Sequence, residues 1–359
     1  MKIDLIGAAR PNFMKIAPLY NVLKDDKRFD VRVVHTGQHY DKNMSEAFFN
    51  DLNLKVDVFL NVRGKTHAEQ VANTMIEYEK VVLSDKPDLV IVVGDVNATM
   101  ACTIVAKKLH IKVAHLEAGI RSFDMSMPEE VNRKVTDSIC DYYWTPSIDA
   151  NENLVREGIE SKKIKLVGNI MIDSFKMKED DIKNNLFYKN LGLEKQKYAV
   201  ATFHRVSNVD NKENLLNIIE VFKTISKNIK VVFPIHPRTK NNLIKFDLLD
   251  KLKSISNVIL LEPLGYIDFM NLVVYSKFII TDSGGIQEET TYLQIPCLTF
   301  RENTERPITV IEGTNTLVNF DNYKNYFEQI MEGEYKQGNI PVYWDGHTAK
   351  RIKKILLNL

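Results

Sequence analysis

The chain has 359 residues, 44% hydrophobic and 26% charged, which suits about two domains with buried cores and excludes disorder, collagen and a small disulfide scaffold. Its 48 Lys and Arg balance 47 Asp and Glu, so the basic footprint of a nucleic-acid binder is missing and no nucleic-acid partner is expected. Cys102, Cys140 and Cys297 are odd in number, far apart and set among apolar residues, which reads as reduced core thiols rather than a zinc or redox pair.

The opening run MKIDLIGAA is apolar but too short to span a membrane and breaks at once into Arg10-Pro11, so a soluble, cytoplasmic protein with no membrane partner is expected. Short β-branched runs at 3–6, 31–35, 88–93, 112–115 and 142–144 alternate with helix-like stretches, the pattern of βαβ units on a parallel sheet. A second series opens at 165–167 and continues at 198–202, 230–234, 258–261, 278–281 and 296–299. Two Rossmann-like halves account for both series. Residues 170–197 are rich in Lys, Asp, Glu and Asn and read as a solvated connection, which places a boundary near Gly168. The expected organisation is therefore an N-terminal Rossmann-like domain over 1–168, a C-terminal one over 169–347, and a helix over 348–359. In that helix Ile352, Ile355, Leu356 and Leu359 share a face that docks on a domain surface. Ligands of open α/β sheets bind beyond the carboxyl ends of the strands, so two such domains facing each other form a cleft there.

The residues that follow the strands are informative. The first strand runs into Ala8-Ala9-Arg10-Pro11-Asn12-Phe13-Met14-Lys15, where Pro11 starts a helix whose free N–H groups and two cations suit an anion. Neither a GxGxxG nor a P-loop is present. The third strand ends in Gly94-Asp95, the fourth in Leu116-Glu117, and Glu129-Glu130 with Arg133 come soon after. A lone carboxylate at a strand end is often a helix cap, but three converging on one site suit proton transfer. In the second half His204-Arg205, His236-Pro237-Arg238 and Asp282-Ser283-Gly284-Gly285 each follow an apolar run. The glycine pair permits close backbone approach to phosphate at a helix start. Seven of the 12 arginines (10, 121, 133, 205, 238, 301 and 306) lie in or beside these blocks, and Arg is the side chain suited to forked contact with phosphate or carboxylate. The residues alone indicate a two-domain enzyme acting on a nucleotide-linked substrate, with carboxylate acid/base groups and no evident metal site.

These motifs resemble the non-hydrolysing UDP-N-acetylglucosamine 2-epimerases, which share the fold of the B-type glycosyltransferases. The resemblance is carried by ARPNFMKIAPL (9–19), HTGQHYD (35–41), VVGDVNAT (92–99), HLEAGIRSFDMSMPEEVNR (115–133), VGNIMID (167–173), HRVSN (204–208), IHPRT (235–239), TDSGGIQEE (281–289) and ENTERP (302–307). It implies inversion at the second sugar carbon by elimination of UDP to a glycal and re-addition to the opposite face, with no cofactor. It also implies catalytic roles for Asp95, Glu117 and Glu129. Arg10, Lys15 and His204 match substrate-contacting positions, His204 being counted with the catalytic set. Phe269, Ser283, Gly284, Gly285, Glu289 and Arg306 match nucleotide and diphosphate positions, and Arg133 and His236 are taken as further substrate contacts. A homodimer is implied as well. The chain departs from the family at Ala8, where Gly is usual, at Leu264, where Gln is common, and in Val206-Ser207-Asn208 after the His-Arg pair. Residues 38–49 look more like the relatives that epimerise UDP-2,3-diacetamido-2,3-dideoxyglucuronate. A hydrolysing epimerase, a glycosyltransferase of the same fold and a non-catalytic nucleotide-sugar binder are the rival readings.

Overall fold

The computed structural model describes residues 1–37 and 48–359; most of the segment 38–49 noted above lies outside them. Among the described residues, seven strands form one parallel sheet: β1 (Lys2–Gly7), β2 (Asp30–His35), β3 (Val58–Phe59), β4 (Leu89–Val93), β5 (Lys112–Leu116), β6 (Tyr142–Thr145) and β7 (Ile164–Leu166). Six more form a second: β8 (Tyr198–Thr202), β9 (Lys230–Pro234), β10 (Val258–Leu261), β11 (Phe278–Thr281), β12 (Cys297–Phe300) and β13 (Asn315–Val318). The fold is α/β with two Rossmann-like sheets. The apolar run Leu-Val-Ile-Val-Val of β4 is buried throughout, as expected for a parallel strand covered on both faces.

The strand orders are β3-β2-β1-β4-β5-β6-β7 and β10-β9-β8-β11-β12-β13. In the first sheet the order reverses between β1 and β4, in the second between β8 and β11. These reversals are where the connections depart to opposite sides and open a crevice at the carboxyl ends. Ala8–Arg10 and Gly94-Asp95 emerge at the first reversal, and Phe203-His204 and Asp282–Gly285 at the second.

One strand assignment is corrected. Residues 165–167, expected to open the second series, join the first sheet instead: Lys165 and Leu166 lie in β7, where Ile164 pairs with Tyr143 and Leu166 with Thr145, and the Val167 N–H donates to the Thr145 carbonyl at 3.0 Å. The helix Ile148–Arg156 returns the chain beside β6, where one more edge is free to pair, and exposed Lys165 suits an edge position.

The chain divides into two compact units, one of Met1–Met177 with Val342–Leu359 and the other of Lys178–Pro341. The division thus falls inside the helix Ile170–Asn184 rather than at Gly168. The start of that helix is tied into the first unit: the Ser174 hydroxyl donates to the Met14 carbonyl at 2.6 Å, and Asp173 accepts the backbone N–H groups of Thr348 and Ala349 at 3.0 and 2.8 Å. The return precedes residue 348, because buried Trp344 donates its indole N–H to the Pro146 carbonyl at 2.9 Å. The helix Thr348–Leu356 buries Ile352 and Leu356 and packs on the helix Arg10–Leu23, with Lys353 donating to the Val22 carbonyl at 3.1 Å. Among the described residues no helix is long and apolar enough to cross a membrane.

Candidate active site

In the first unit the turn after β4 is built by Gly94, whose φ of +69° is a left-handed conformation that glycine adopts without strain. It leads directly into Asp95. Glu117, after β5, has φ +71°, a conformation costly for a side chain with a Cβ and one that clusters at functional sites. The Glu117 side chain is 3% exposed. Its Oε2 is 2.5 Å from Lys15 Nζ, whereas its buried Oε1 has no hydrogen-bond partner among the described residues. A buried carboxylate oxygen left in this state is costly unless a ligand completes it. Asn12 ties the turns together, donating to the Val93 carbonyl at 3.3 Å and accepting the Ala9 N–H at 3.1 Å.

The helix Pro128–Ile139 brings the third carboxylate. Exposed Glu129 and half-buried Asp95 line a hollow of about 410 Å³ together with Ala8, Ala9, Gly37 and Asn132. Glu130, one residue on, points the other way into the core. It accepts the N–H groups of Ser122 and Phe123 at 2.9 and 3.1 Å. Arg133 is buried and bridges Glu130, at 2.8 Å, to Asp95. Its guanidinium is thereby engaged in orienting a carboxylate. Arg10 is exposed, with its guanidinium 5.3 Å from the centre of the Phe48 ring.

The second unit gathers its polar groups around Asp282, at the end of β11. This fully buried carboxylate accepts the backbone N–H groups of His204 and Arg205 at 3.0 and 2.9 Å and the Asn208 amide at 3.1 Å, and lies 3.0 Å from His204 Nδ1. Burial works to raise its pKa, but the His204 side chain and the N–H donors hold it below the usual carboxylate range. His236 caps the helix Pro237–Lys245 through Nδ1, its ring centre 5.5 Å from that of His204. Burial, then the neighbouring His204, pushes the His236 pKa down. The His204 ring is partly open to solvent.

Ser283 precedes the helix Gly284–Leu293, and its side chain makes no cap bond. A Cβ at Gly284 would stand 2.5 Å from Glu305 Oε1, whereas one at Gly285 would meet open space. The helix start is therefore tight on one side and free on the other. Glu305 is buried among cations: Arg301 at 2.7 Å, Arg306 at 3.1 Å and Arg205 at 3.6 Å. Burial alone would raise its pKa, but these guanidinium groups keep it well below the usual range. Arg306 also pairs with Glu288 at 2.8 Å. Glu289 accepts from the Tyr266 hydroxyl at 2.9 Å. Burial first, and then the Glu288 carboxylate, push its pKa up to about 7. Half-buried Phe269 lies on the same helix as Tyr266, Tyr266–Tyr275.

Within the first unit Lys15, Asp95, Glu117, Glu129 and Arg133 thus collect around the carboxyl ends of β1, β4 and β5. Within the second, His204, His236, Ser283, Gly284 and Gly285 collect at those of β8, β9 and β11. Sequence reading misses Asn12, Glu130, Asp282, Glu305 and Tyr266; for Asp282 and Tyr266 the partners lie far away in the chain, and for Glu130 nothing in the sequence says that it turns inward while Glu129 does not. For Asp282 the signal is present, since an acid directly after an apolar strand is the same cue that picks out Asp95.

Residues 21–357 match the family model described as UDP-N-acetylglucosamine 2-epimerase. The chain is 43% identical to a UDP-N-acetylglucosamine 2-epimerase of Methanocaldococcus jannaschii over 99% of both chains. It is 36% identical, over the full length of both, to a UDP-2,3-diacetamido-2,3-dideoxy-D-glucuronate 2-epimerase of Pseudomonas aeruginosa. The crystal structure of the Methanocaldococcus jannaschii UDP-GlcNAc 2-epimerase in complex with UDP-GlcNAc and UDP superposes with a TM-score of 0.88 at 41% identity, covering 100% of each chain.

Proposed function

The chain belongs to the UDP-N-acetylglucosamine 2-epimerase family, and from that premise we propose that it interconverts UDP-N-acetylglucosamine and UDP-N-acetylmannosamine. The observation that carries the reading is the unpartnered, buried Oε1 of Glu117 beside Lys15 and the Gly94-Asp95 turn. A base among the three carboxylates takes the proton from the second sugar carbon. Its electron pair forms the ring double bond as the C1–oxygen bond to UDP breaks. UDP oxygen then returns to C1, and an acid on the opposite face gives a proton to C2. Asp95, Glu117 and Glu129 are the groups proposed for these transfers.

The second unit holds the leaving group. Phosphate oxygens suit the N-terminus of the helix Gly284–Leu293, and Ser283, Gly285, His204, His236 and Arg306 surround that end of the chemistry. Glu289 and Phe269 serve the nucleoside, and Arg10 with Lys15 the departing diphosphate. Proton NMR of UDP-N-acetylglucosamine with the protein in deuterated water tests the reading: deuterium should enter at C2 of the product. Product keeping its original hydrogen there overturns it.

The 36% identity to the diacetamido-glucuronate enzyme favours a second reading, in which the substrate carries that more substituted sugar. Running both UDP-sugars in the same experiment separates them. Release of free N-acetylmannosamine would indicate a hydrolysing enzyme instead. We further propose a cytoplasmic homodimer. The buried free thiols Cys102, Cys140 and Cys297 suit a reducing compartment, and exposed Ile76, Leu83 and Val131 offer apolar surface to a second copy.

A further inference from the structure

Asp137, in the last turns of the helix Pro128–Ile139, is 1% exposed and belongs to none of the catalytic groups above. Its Oδ1 lies 2.7 Å from His115 Nδ1. Its Oδ2 accepts the Gly119 N–H at 3.0 Å and is 2.8 Å from Arg121 Nη1. The other ring nitrogen of His115, Nε2, lies 2.8 Å from the Gly94 carbonyl. Gly94 carries Asp95, Gly119 follows Glu117 by two residues, and the helix that carries Asp137 starts with Glu129.

We propose that Asp137 and His115 are positioning residues: one buried carboxylate, acting through an imidazolium and a backbone N–H, fixes the turns that present Asp95 and Glu117 relative to the helix that presents Glu129. The inference rests on the epimerase reading. It is independent of which sugar the enzyme takes.

Hydrogen-bond counting gives the imidazolium. A carbonyl oxygen only accepts, so Nε2 carries a hydrogen. Asp137 already receives a guanidinium and an N–H on Oδ2. Burial works to raise its pKa, but the Arg121 guanidinium and the Gly119 N–H on Oδ2 favour the ionised form, so Asp137 is a carboxylate and Nδ1 carries a hydrogen too. The charged groups around the ring come from every element packed there: Asp137 from the helix, Arg121 from the turn after β5, and Glu157, which takes the far side of Arg121 at 2.5 and 2.9 Å. In the core the imidazolium and Arg121 meet Asp137, and Arg121 reaches out to exposed Glu157, which Lys134 also approaches at 3.1 Å. A neutral His115 would leave either the carboxylate or the Gly94 carbonyl without its donor. The Gly94 turn would then lose the one bond to its carbonyl from His115, keeping its N–H bond to the Leu116 carbonyl at 3.1 Å, and displacements of about 1 Å cost catalysts on the order of 100-fold in rate.

The experiment uses protein labelled with 15N at histidine, the His115 signal being assigned by its loss in His115→Gln. In the wild-type protein both ring nitrogens of His115 should show a directly bonded hydrogen. A neutral tautomer there overturns the proposal even if Asp137→Asn does not fold. In Asp137→Asn, whose amide offers one acceptor and one donor to three donors, His115 should lose one of those hydrogens. The same variant should lose at least about tenfold in kcat while its affinity for UDP, most of whose proposed contacts lie in the second unit, changes less than about twofold. Unchanged kcat, or an equal loss of UDP affinity, also overturns it. If instead the wild-type protein epimerises neither UDP-sugar, the epimerase reading fails, whatever the histidine signal shows.

Discussion

Glu117 joins a left-handed backbone, a salt bridge on one oxygen and an open second oxygen. A carboxylate that merely capped a helix or neutralised Lys15 would need none of that strain. Glu117→Gln, Asp95→Asn and Glu129→Gln should each lose at least about 100-fold in turnover, the usual worth of general acid/base groups, while UDP binding by titration calorimetry persists. Three variants with near-normal turnover would move the chemistry to His204 and His236. Glu289 makes a different prediction. Its folded pKa of about 7 lies above the ordinary 4.5, so its contribution to stability is present below about pH 4.5 and is lost as pH rises through 7. That loss is on the order of 3 kcal/mol. In urea unfolding followed by circular dichroism, Glu289→Gln should therefore gain on the wild-type protein steadily between pH 5 and pH 8, and a constant gap would refute the assignment. At this scale the sequence is legible where a polar residue ends an apolar strand, as for Asp95, Glu117 and His204. It is silent where residue type alone fixes neither direction nor partner: nothing in Glu129-Glu130 says which one faces the hollow, and Asp137 reads as an ordinary helix residue.

Strands and the helices after them are most legible where a β-branched run is buried along its length, as in β4, β11 and β12. The exceptions are the elements that escape that rule. β3 has two residues, one half-buried and one exposed, and β13 opens with Asn315-Thr316, so neither shows an apolar run. β7 alternates, and periodicity cannot tell which sheet an edge strand will join. The helix Thr348–Leu356 shows its apolar face in the sequence, but not its seat on Arg10–Leu23. That seat predicts that Ile352→Ala, which empties a fully buried site, costs about 2–5 kcal/mol. Trp144 and Trp344, the two tryptophans, both lie in the first unit. Their fluorescence should report the loss as a lower urea midpoint, and an unchanged midpoint would remove the helix from that core.

For the molecule as a whole, composition and strand count suffice to read two α/β units, because each needs its own buried parallel sheet. The way the chain is shared between them is hidden, since a helix that crosses a boundary looks like any other solvated helix. The proposed homodimer is checked by sedimentation: a mass near twice 41.3 kDa is expected, and a monomer at micromolar concentration rejects it. The return of Val342–Leu359 to the first unit has a further consequence for biosynthesis. Translation delivers the whole second unit before the residues that complete the first, so the usual order, N-terminal domain first, is inverted. A nascent chain halted before Val342 should carry a protease-resistant second unit beside a first unit still open to cleavage, and its tryptophan at 144 should reach native emission only after the terminal helix leaves the ribosome.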